Sequence, residues 1–372
     1  MILHECALTQ WRNYEKQSLS FHPTLNIFLG PNGQGKTNLL EAIYYLCYGK
    51  NFRANRDREL MQWEKAYFRL EGFFSLDASS RRQHIELYYD NVHKKRIRLN
   101  GVSYGSMAKL PARPAAILFT PDDLTVVKGA PGERRRFIDR ELADLYLDYE
   151  KLRLSYERVL SQRSELLREV RAKRADKTNL VVWNLQLVNF GVAMIRRRLS
   201  LLALLVPQAR RVHAYIAPGG GHFDVTYQSS LGNVLQMGDE AMKTRFLELL
   251  SEKEGEEIAR AQNLLGPHRD DLVFYLNGND LRTYGSQGQQ RTAVLAMKMA
   301  AIDIYGHVLG QRPLLLLDDV MSELDYTRQQ KVMEIVTKKE IQTFITGTGL
   351  DFSFKGFGFD PVFRIKNGAV EG

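Results

Sequence analysis

Residues Gly30 to Thr37 read G-P-N-G-Q-G-K-T, meeting the phosphate-loop pattern G-x-x-x-x-G-K-[ST] at every position. Such a loop works only between a strand and a helix, so it commits this part of the chain to an α/β layer. The flanks agree. L-N-I-F-L at Leu25 to Leu29 reads as a buried strand, and Asn38 to Tyr45 carries the helix formers Leu39, Leu40, Glu41 and Ala42.

The residue types follow from what a phosphate requires. Gly30, Gly33 and Gly35 open backbone conformations closed to residues with a Cβ, so that several amide N–H groups can converge on phosphate oxygens. The helix start behind them adds its positive dipole end. Lys36 would set an ammonium against the β and γ phosphates, and the Thr37 hydroxyl is the expected ligand of Mg²⁺.

A phosphate loop needs a carboxylate for its metal, and L-L-L-L-D-D at Leu314 to Asp319 reads as a buried parallel strand ending in two acids, a Walker B strand. Asp318 is the expected Mg²⁺ ligand and Asp319 the group that polarises the attacking water. Some three quarters of the chain separates Lys36 from Asp318, so something sizeable is inserted between the two halves. That insert reads as helical. Tyr156, Val159, Leu160, Leu166, Leu167 and Val170 recur at helical spacing, interrupted by polar Arg163, and a second long helix is expected from Leu180 to Val206, stopped by Pro207. Residues 151–175 hold eight Lys or Arg against three Glu, and Arg134 to Arg136 lie just upstream; a solvated basic face and a phosphate-tracking groove are both open readings.

Outside the loop the N-terminal half is strand-like at Phe68 to Phe74, Ile85 to Tyr89 and Ile97 to Leu99, with Asn100-Gly101 as a hairpin signal; Asn277-Gly278 repeats it after Leu272 to Leu276. Then comes G-S-Q-G-Q-Q-R at Gly285 to Arg291, ahead of a helix expected from near Thr292, where serine and glycines at a helix start could bind phosphate.

A phosphate loop, an S-x-G-Q signature at Ser286 to Gln289, a Walker B strand and S-E-L-D at Ser322 to Asp325 stand in the order of ABC-type ATPases. Within that superfamily the chain resembles the RecF family of bacterial recombination mediators. The resemblance rests on G-P-N-G-Q-G-K-T-N-L-L-E-A-I at Gly30 to Ile43, P-D-D-L-T-V-V-K-G-A-P-G-E-R-R-R-F-I-D at Pro121 to Asp139, L-L-G-P-H-R-D-D-L at Leu264 to Leu272 and L-L-L-L-D-D-V-M-S-E-L-D at Leu314 to Asp325.

The resemblance implies an ABC-type head of mixed sheets flanked by helices, residues 1–118 with 262–372, and an inserted helical lobe, residues 119–261. It implies a homodimer that clamps ATP. Gly30, Pro31, Asn32, Gly33, Gln34, Gly35, Lys36, Thr37 and Asn38 of one subunit would hold the nucleotide. Ser286, Gly288 and Gln289 of the other would close the site, with Lys36, Asp319 and Ser286 as its catalytic groups. The implied setting is cytoplasmic and nucleoid-associated. There the protein would act in DNA replication and repair at single-strand gaps, binding single-stranded and gapped or junction DNA, with RecO and RecR partners that help load RecA. An alternative with the same motifs is the energising subunit of a membrane transporter, which the long insertion and the family-like blocks disfavour.

Composition is compatible with DNA: 52 Lys plus Arg against 43 Asp plus Glu give +9, so salt-sensitive phosphate contacts are expected. With 372 residues, 44% of them apolar, the chain can form two domains with real cores. Cys6 and Cys47 offer no disulfide framework, and no secretory or membrane segment is expected, Leu201 to Val206 falling far short of the ~20 residues a span needs. Two departures limit the mechanism. Asp319 stands where many ABC ATPases carry Glu, one methylene less far toward the lytic water, so slow hydrolysis is expected. The strand Gln342 to Ile345 runs into Thr346, Gly347 and Thr348 with no switch histidine; a γ-phosphate contact stays open for either threonine. His268 reads as a turn or interface residue, with no second ligand pair spaced for zinc. Arg53 and Arg56, in Asn51 to Glu59, could face phosphate or form surface pairs.

Overall fold

The computed structural model describes residues 1–54, 56–75, 80–111, 113–349 and 362–371, the side chains of 124, 125 and 371 apart. The chain divides into two compact units. Residues 1–124, 215–217 and 298–372 form the first, and residues 125–214 and 218–297 the second.

The first unit opens with β1 (Ile2–Trp11) and β2 (Tyr14–Ser20), then β3 (Leu25–Leu29) and α1 (Lys36–Tyr48). It continues through β4 (Tyr67–Ser75), β5 (Gln83–Asp90), β6 (Lys94–Leu99), β7 (Val102–Tyr104) and β8 (Ala116–Phe119). The antiparallel sheet runs β2-β1-β4-β5-β6-β7. Its strands alternate buried and partly exposed residues, the pattern of a sheet with one face on a core. Leu39 to Tyr48 are all buried, so α1 is apolar on every side and belongs inside the unit. Its side chains share one core with Leu3, Leu8, Phe68, Leu70 and Leu87 of the antiparallel sheet and Leu314, Leu316 and Phe344 of the parallel one.

The second unit contains α2 (Pro131–Leu145), α3 (Tyr149–Arg171), most of α4 (Leu180–Ile216), β9 (Phe223–Gln228), α5 (Asp239–Glu252), α6 (Glu254–Arg260), β10 (Asp271–Leu276), β11 (Asn279–Asp280) and α7 (Leu281–Tyr284). Two expectations are corrected here. The insert is not purely helical, because β11-β10-β9 form a three-stranded antiparallel sheet. Pro207 does not stop the helix. It lies inside α4, where buried Leu205, Val206 and Ala209 hold the segment helical despite the lost backbone donor. The β9–β10 pairing also keeps residues 262–297 with the second unit, whereas the sequence boundary fell at 262.

Arg163, read as a polar interruption, is 1% exposed, its guanidinium 2.6 Å from Glu257, itself fully buried. It also donates to Asn184 and Asn263. The two family-like blocks serve the same interior. Arg134 pairs with Asp271, Arg135 donates to the Asp270 carbonyl, and Asp139 receives Arg198, whose side chain is 2% exposed. The basic helix α3 spends much of its charge on local pairs, Arg153 with Glu150 and Arg168 with Glu165, and Arg174 just past its end pairs with Glu169, a solvated face in large part.

From α8 (Gln287–Leu309) the chain returns to the first unit at Lys298. That helix begins five residues ahead of Thr292, because polar Gln287 to Arg291 carry no apolar periodicity to announce it. It is long and apolar enough to cross a membrane by length and composition, yet 72% of its apolar window is buried within the protein. Then follow β12 (Leu314–Asp318), α9 (Tyr326–Lys338), β13 (Thr343–Gly347), β14 (Val362–Lys366) and β15 (Ala369–Glu371). The order β15-β14-β3-β13-β12-β8 makes a sheet that is parallel except at β14–β15. Every residue of β12 is buried, as its run of four leucines requires.

Candidate nucleotide site

The phosphate-loop strand β3 and the Walker B strand β12 both flank β13, and the register sets Asp318 opposite Thr346 and Thr346 opposite Phe28. The site therefore sits at the carboxyl ends of three adjacent parallel strands, where the sheet ends and helices begin.

Gly33 and Gly35 have φ of +80° and +114°, a region glycine enters without a Cβ penalty. Gly30 is needed for a different reason: a Cβ there would lie 2.3 Å from the Ile365 carbonyl oxygen. The outside of the loop is held from both chain ends. Asn13 Nδ2 and the Gly368 amide both donate to the Gln34 carbonyl, at 2.9 and 3.0 Å, and the Asn367 amide donates to Gln34 Oε1. Asn38 Nδ2 donates to Asn13 Oδ1, and the Tyr14 hydroxyl donates to the Gly35 carbonyl. The Gln34 and Asn38 side chains thus brace the loop, while Pro31, Asn32 and Gly33 lie exposed on it. Sequence reading missed Asn13 and the Asn367-Gly368 turn; the second was signalled by a further Asn-Gly pair behind V-F-R-I-K.

Lys36 is 6% exposed and donates to the carbonyls of Gly30 (2.6 Å) and Pro31 (2.9 Å). Burial lowers its pKa and the charges of Asp319 and Asp318 oppose that shift. Thr37 Oγ1 donates to Asp318 Oδ1 at 2.8 Å, across a separation of 281 residues. Burial raises the pKa of Asp318, offset by the hydroxyls of Thr37 and Thr346 and by the charge of Arg53. Arg53 and Arg56 are both exposed, and Asn55 between them lies outside the described residues. Asp319 has φ +52°, a left-handed conformation, and its amide donates to Thr346 Oγ1. Ser322 Oγ donates to its carbonyl and reaches its Oδ1 at 3.3 Å.

These groups fit Mg-ATP. A hydroxyl and a carboxylate side by side are hard oxygen donors of the kind Mg²⁺ uses when nucleotide phosphates complete its shell. Among the described residues no group of three or more His, Cys, Asp or Glu could hold a metal by itself. His268 Nδ1 is 2.7 Å from the Tyr156 hydroxyl and its Nε2 faces the Asn263 carbonyl, and burial lowers its pKa to about 4. It packs in a turn of the second unit.

Ser286, in the second unit, is exposed. Its Oγ accepts from the Gln289 amide at 3.3 Å, and its own amide donates to Gln289 Oε1 at 2.8 Å. The S-Q-G-Q signature is thus a reciprocal capping box on α8. A Cβ added at Gly288 would meet nothing within 4 Å.

A phosphate loop, a buried Walker B strand and a capped signature helix, arranged with mixed sheets and helices, define an ABC-type ATPase head. The family model for the RecF/RecN/SMC N terminal domain matches residues 2–353. The DNA replication and repair protein RecF of Heliobacterium modesticaldum is 40% identical over 375 residues, spanning 100% of this chain and 99% of the relative. That of Bacillus subtilis is 36% identical over 372 residues, all of both chains. A solved structure of the recombination mediator protein RecF-ATPrS in the RecFOR pathway superposes with a TM-score of 0.89 at 30% identity, covering 99% of this chain and 97% of the other. The head of Smc bound to the C-winged helix domain of ScpA shares the fold, with a TM-score of 0.56 at 14% identity. This chain belongs to the RecF family of DNA replication and repair proteins.

Proposed function

We propose that this chain is an ATP-gated, DNA-binding recombination mediator whose weak ATPase works as a switch. The reading rests above all on Thr37 and Asp318, brought to 2.8 Å beside a braced phosphate loop. The solved relatives named RecF-ATPrS and RecF-ATP support it. In this reading Lys36 and the loop amides bind the β and γ phosphates, Thr37 and Asp318 hold Mg²⁺, and Asp319 orients water. The metal that Thr37 and Asp318 would hold would supply positive charge against the charge developing on the phosphates.

Ser286, with Gly288 and Gln289, completes the site of a second copy. The exposure of Ser286 and Gln289 and the cap that orients them leave the helix start free to face another subunit's nucleotide. The γ-phosphate is then a contact only the closed dimer makes, and hydrolysis removes it. The basic balance of the chain supplies the affinity for gapped DNA, where RecO and RecR partners would use the clamp to load RecA.

Subunit mixing tests the composite site. Lys36→Ala and Ser286→Ala variants are each expected to be inactive in ATP hydrolysis. Mixed in equal amounts they regain turnover, because a heterodimer holds one site with both residues intact. No recovery in a mixture that forms heterodimers would refute the composite arrangement.

A further inference from the structure

The Thr346 hydroxyl makes two bonds of fixed direction. It accepts from the Asp319 amide at 2.8 Å, and its proton is given to Asp318 Oδ1 at 2.9 Å, since a carboxylate only accepts. Thr37 donates to that same Oδ1. Two hydroxyls thus take up one oxygen of Asp318 and leave Oδ2 as the oxygen for a metal. The Asp319 bond matters equally. At φ +52° that residue holds a left-handed backbone that most non-glycine residues avoid and that aspartate enters when local hydrogen bonds support it. Thr346 is 1% exposed at the end of β13, between the two motif strands. Its side chain is committed to the Walker B turn, so of the two threonines left open after this strand, Thr346 is not the γ-phosphate contact.

The geometry points to Thr346 as a positioning residue: it fixes which oxygen of Asp318 faces the metal and holds Asp319 in the conformation from which its carboxylate meets water. This rests on the nucleotide reading above. It also explains how a head without a histidine after this strand organises the acid pair, through a buried hydroxyl from the same strand.

The test uses the full chain as wild type, Thr346→Val and Thr346→Ser. Valine keeps the volume and deletes both bonds, whereas serine keeps the hydroxyl. For each, a fluorescent ATP analogue is titrated with and without Mg²⁺, initial hydrolysis rates are measured, and melting temperature is recorded. The valine variant is expected to keep its Mg²⁺-free affinity within about twofold. It should lose about 10-fold or more of the Mg²⁺-dependent gain in affinity and of kcat, the scale on which partners of metal ligands act, and serine should restore both. The inference is overturned if valine leaves the Mg²⁺ gain and kcat intact. It is equally overturned if they fall only in step with melting temperature and Mg²⁺-free affinity and serine restores nothing. A wild type that binds no analogue at all would refute the nucleotide reading itself, a separate result.

Discussion

Lys36 folds back onto the carbonyls of Gly30 and Pro31, so its ammonium is already held within the phosphate loop. Replacing it with Ala removes a charged donor worth roughly 1.5–3 kcal/mol, about 10- to 100-fold in affinity. Fluorescent-analogue titration should show that loss. Asp319→Asn separates turnover from gating. Asparagine tolerates the left-handed backbone at this position and keeps the amide bond to Thr346, but offers no carboxylate to the water. Hydrolysis should fall by about 10²- to 10⁴-fold, the usual span of a general base, while nucleotide affinity stays within a few fold. Thr37 and Asp318 were legible from the two motifs because each sits in a short run of fixed spacing. Thr346 was not, since its two bonds come from strand register, which no local pattern displays. Asn13 was hidden for the same reason: its partner carbonyl, Gln34, is reached only when β1 and β2 fold over the loop.

At the scale of elements, the second unit depends on buried charge. Arg163 joins α3 to α6 through Glu257, and neither side chain is more than 1% exposed. Glu257→Gln leaves a buried guanidinium without its counter-charge and should cost about 3–5 kcal/mol, whereas replacing both partners by Met should recover much of that loss. Urea unfolding of the wild type and these two variants checks it. His268 adds a pH dependence of definite sign. Its folded pKa, about 4, lies below the ordinary 6.5 because burial disfavours the imidazolium. The unfolded chain therefore binds the proton first. The contribution is whole above about pH 6.5 and is lost as pH falls toward about 4, with a slope of at most about 1.4 kcal/mol per pH unit. Urea midpoints between pH 7 and pH 4.5 should fall for the wild type and less steeply for His268→Asn; equal slopes would contradict the assignment. Strands such as β12 were readable from an unbroken apolar run. The end of α4 was not, because its burial outweighs the local signal of Pro207, and β9 was hidden because its six residues pair only with a distant β10.

For the whole molecule, the central claim is that ATP joins two copies of this chain on DNA. Net charge of +9 makes some DNA affinity expected with or without nucleotide, so binding alone decides little. The nucleotide dependence of assembly decides it. Sedimentation velocity on a gapped duplex, in low and moderate salt, should be run without nucleotide, with ADP and with a non-hydrolysable ATP analogue, with Lys36→Ala and Ser286→Ala alongside. The account predicts a DNA-bound dimer with the analogue alone, persisting at moderate salt and lost in both variants. A protein that stays monomeric under every nucleotide, and binds DNA equally in all of them, would contradict it.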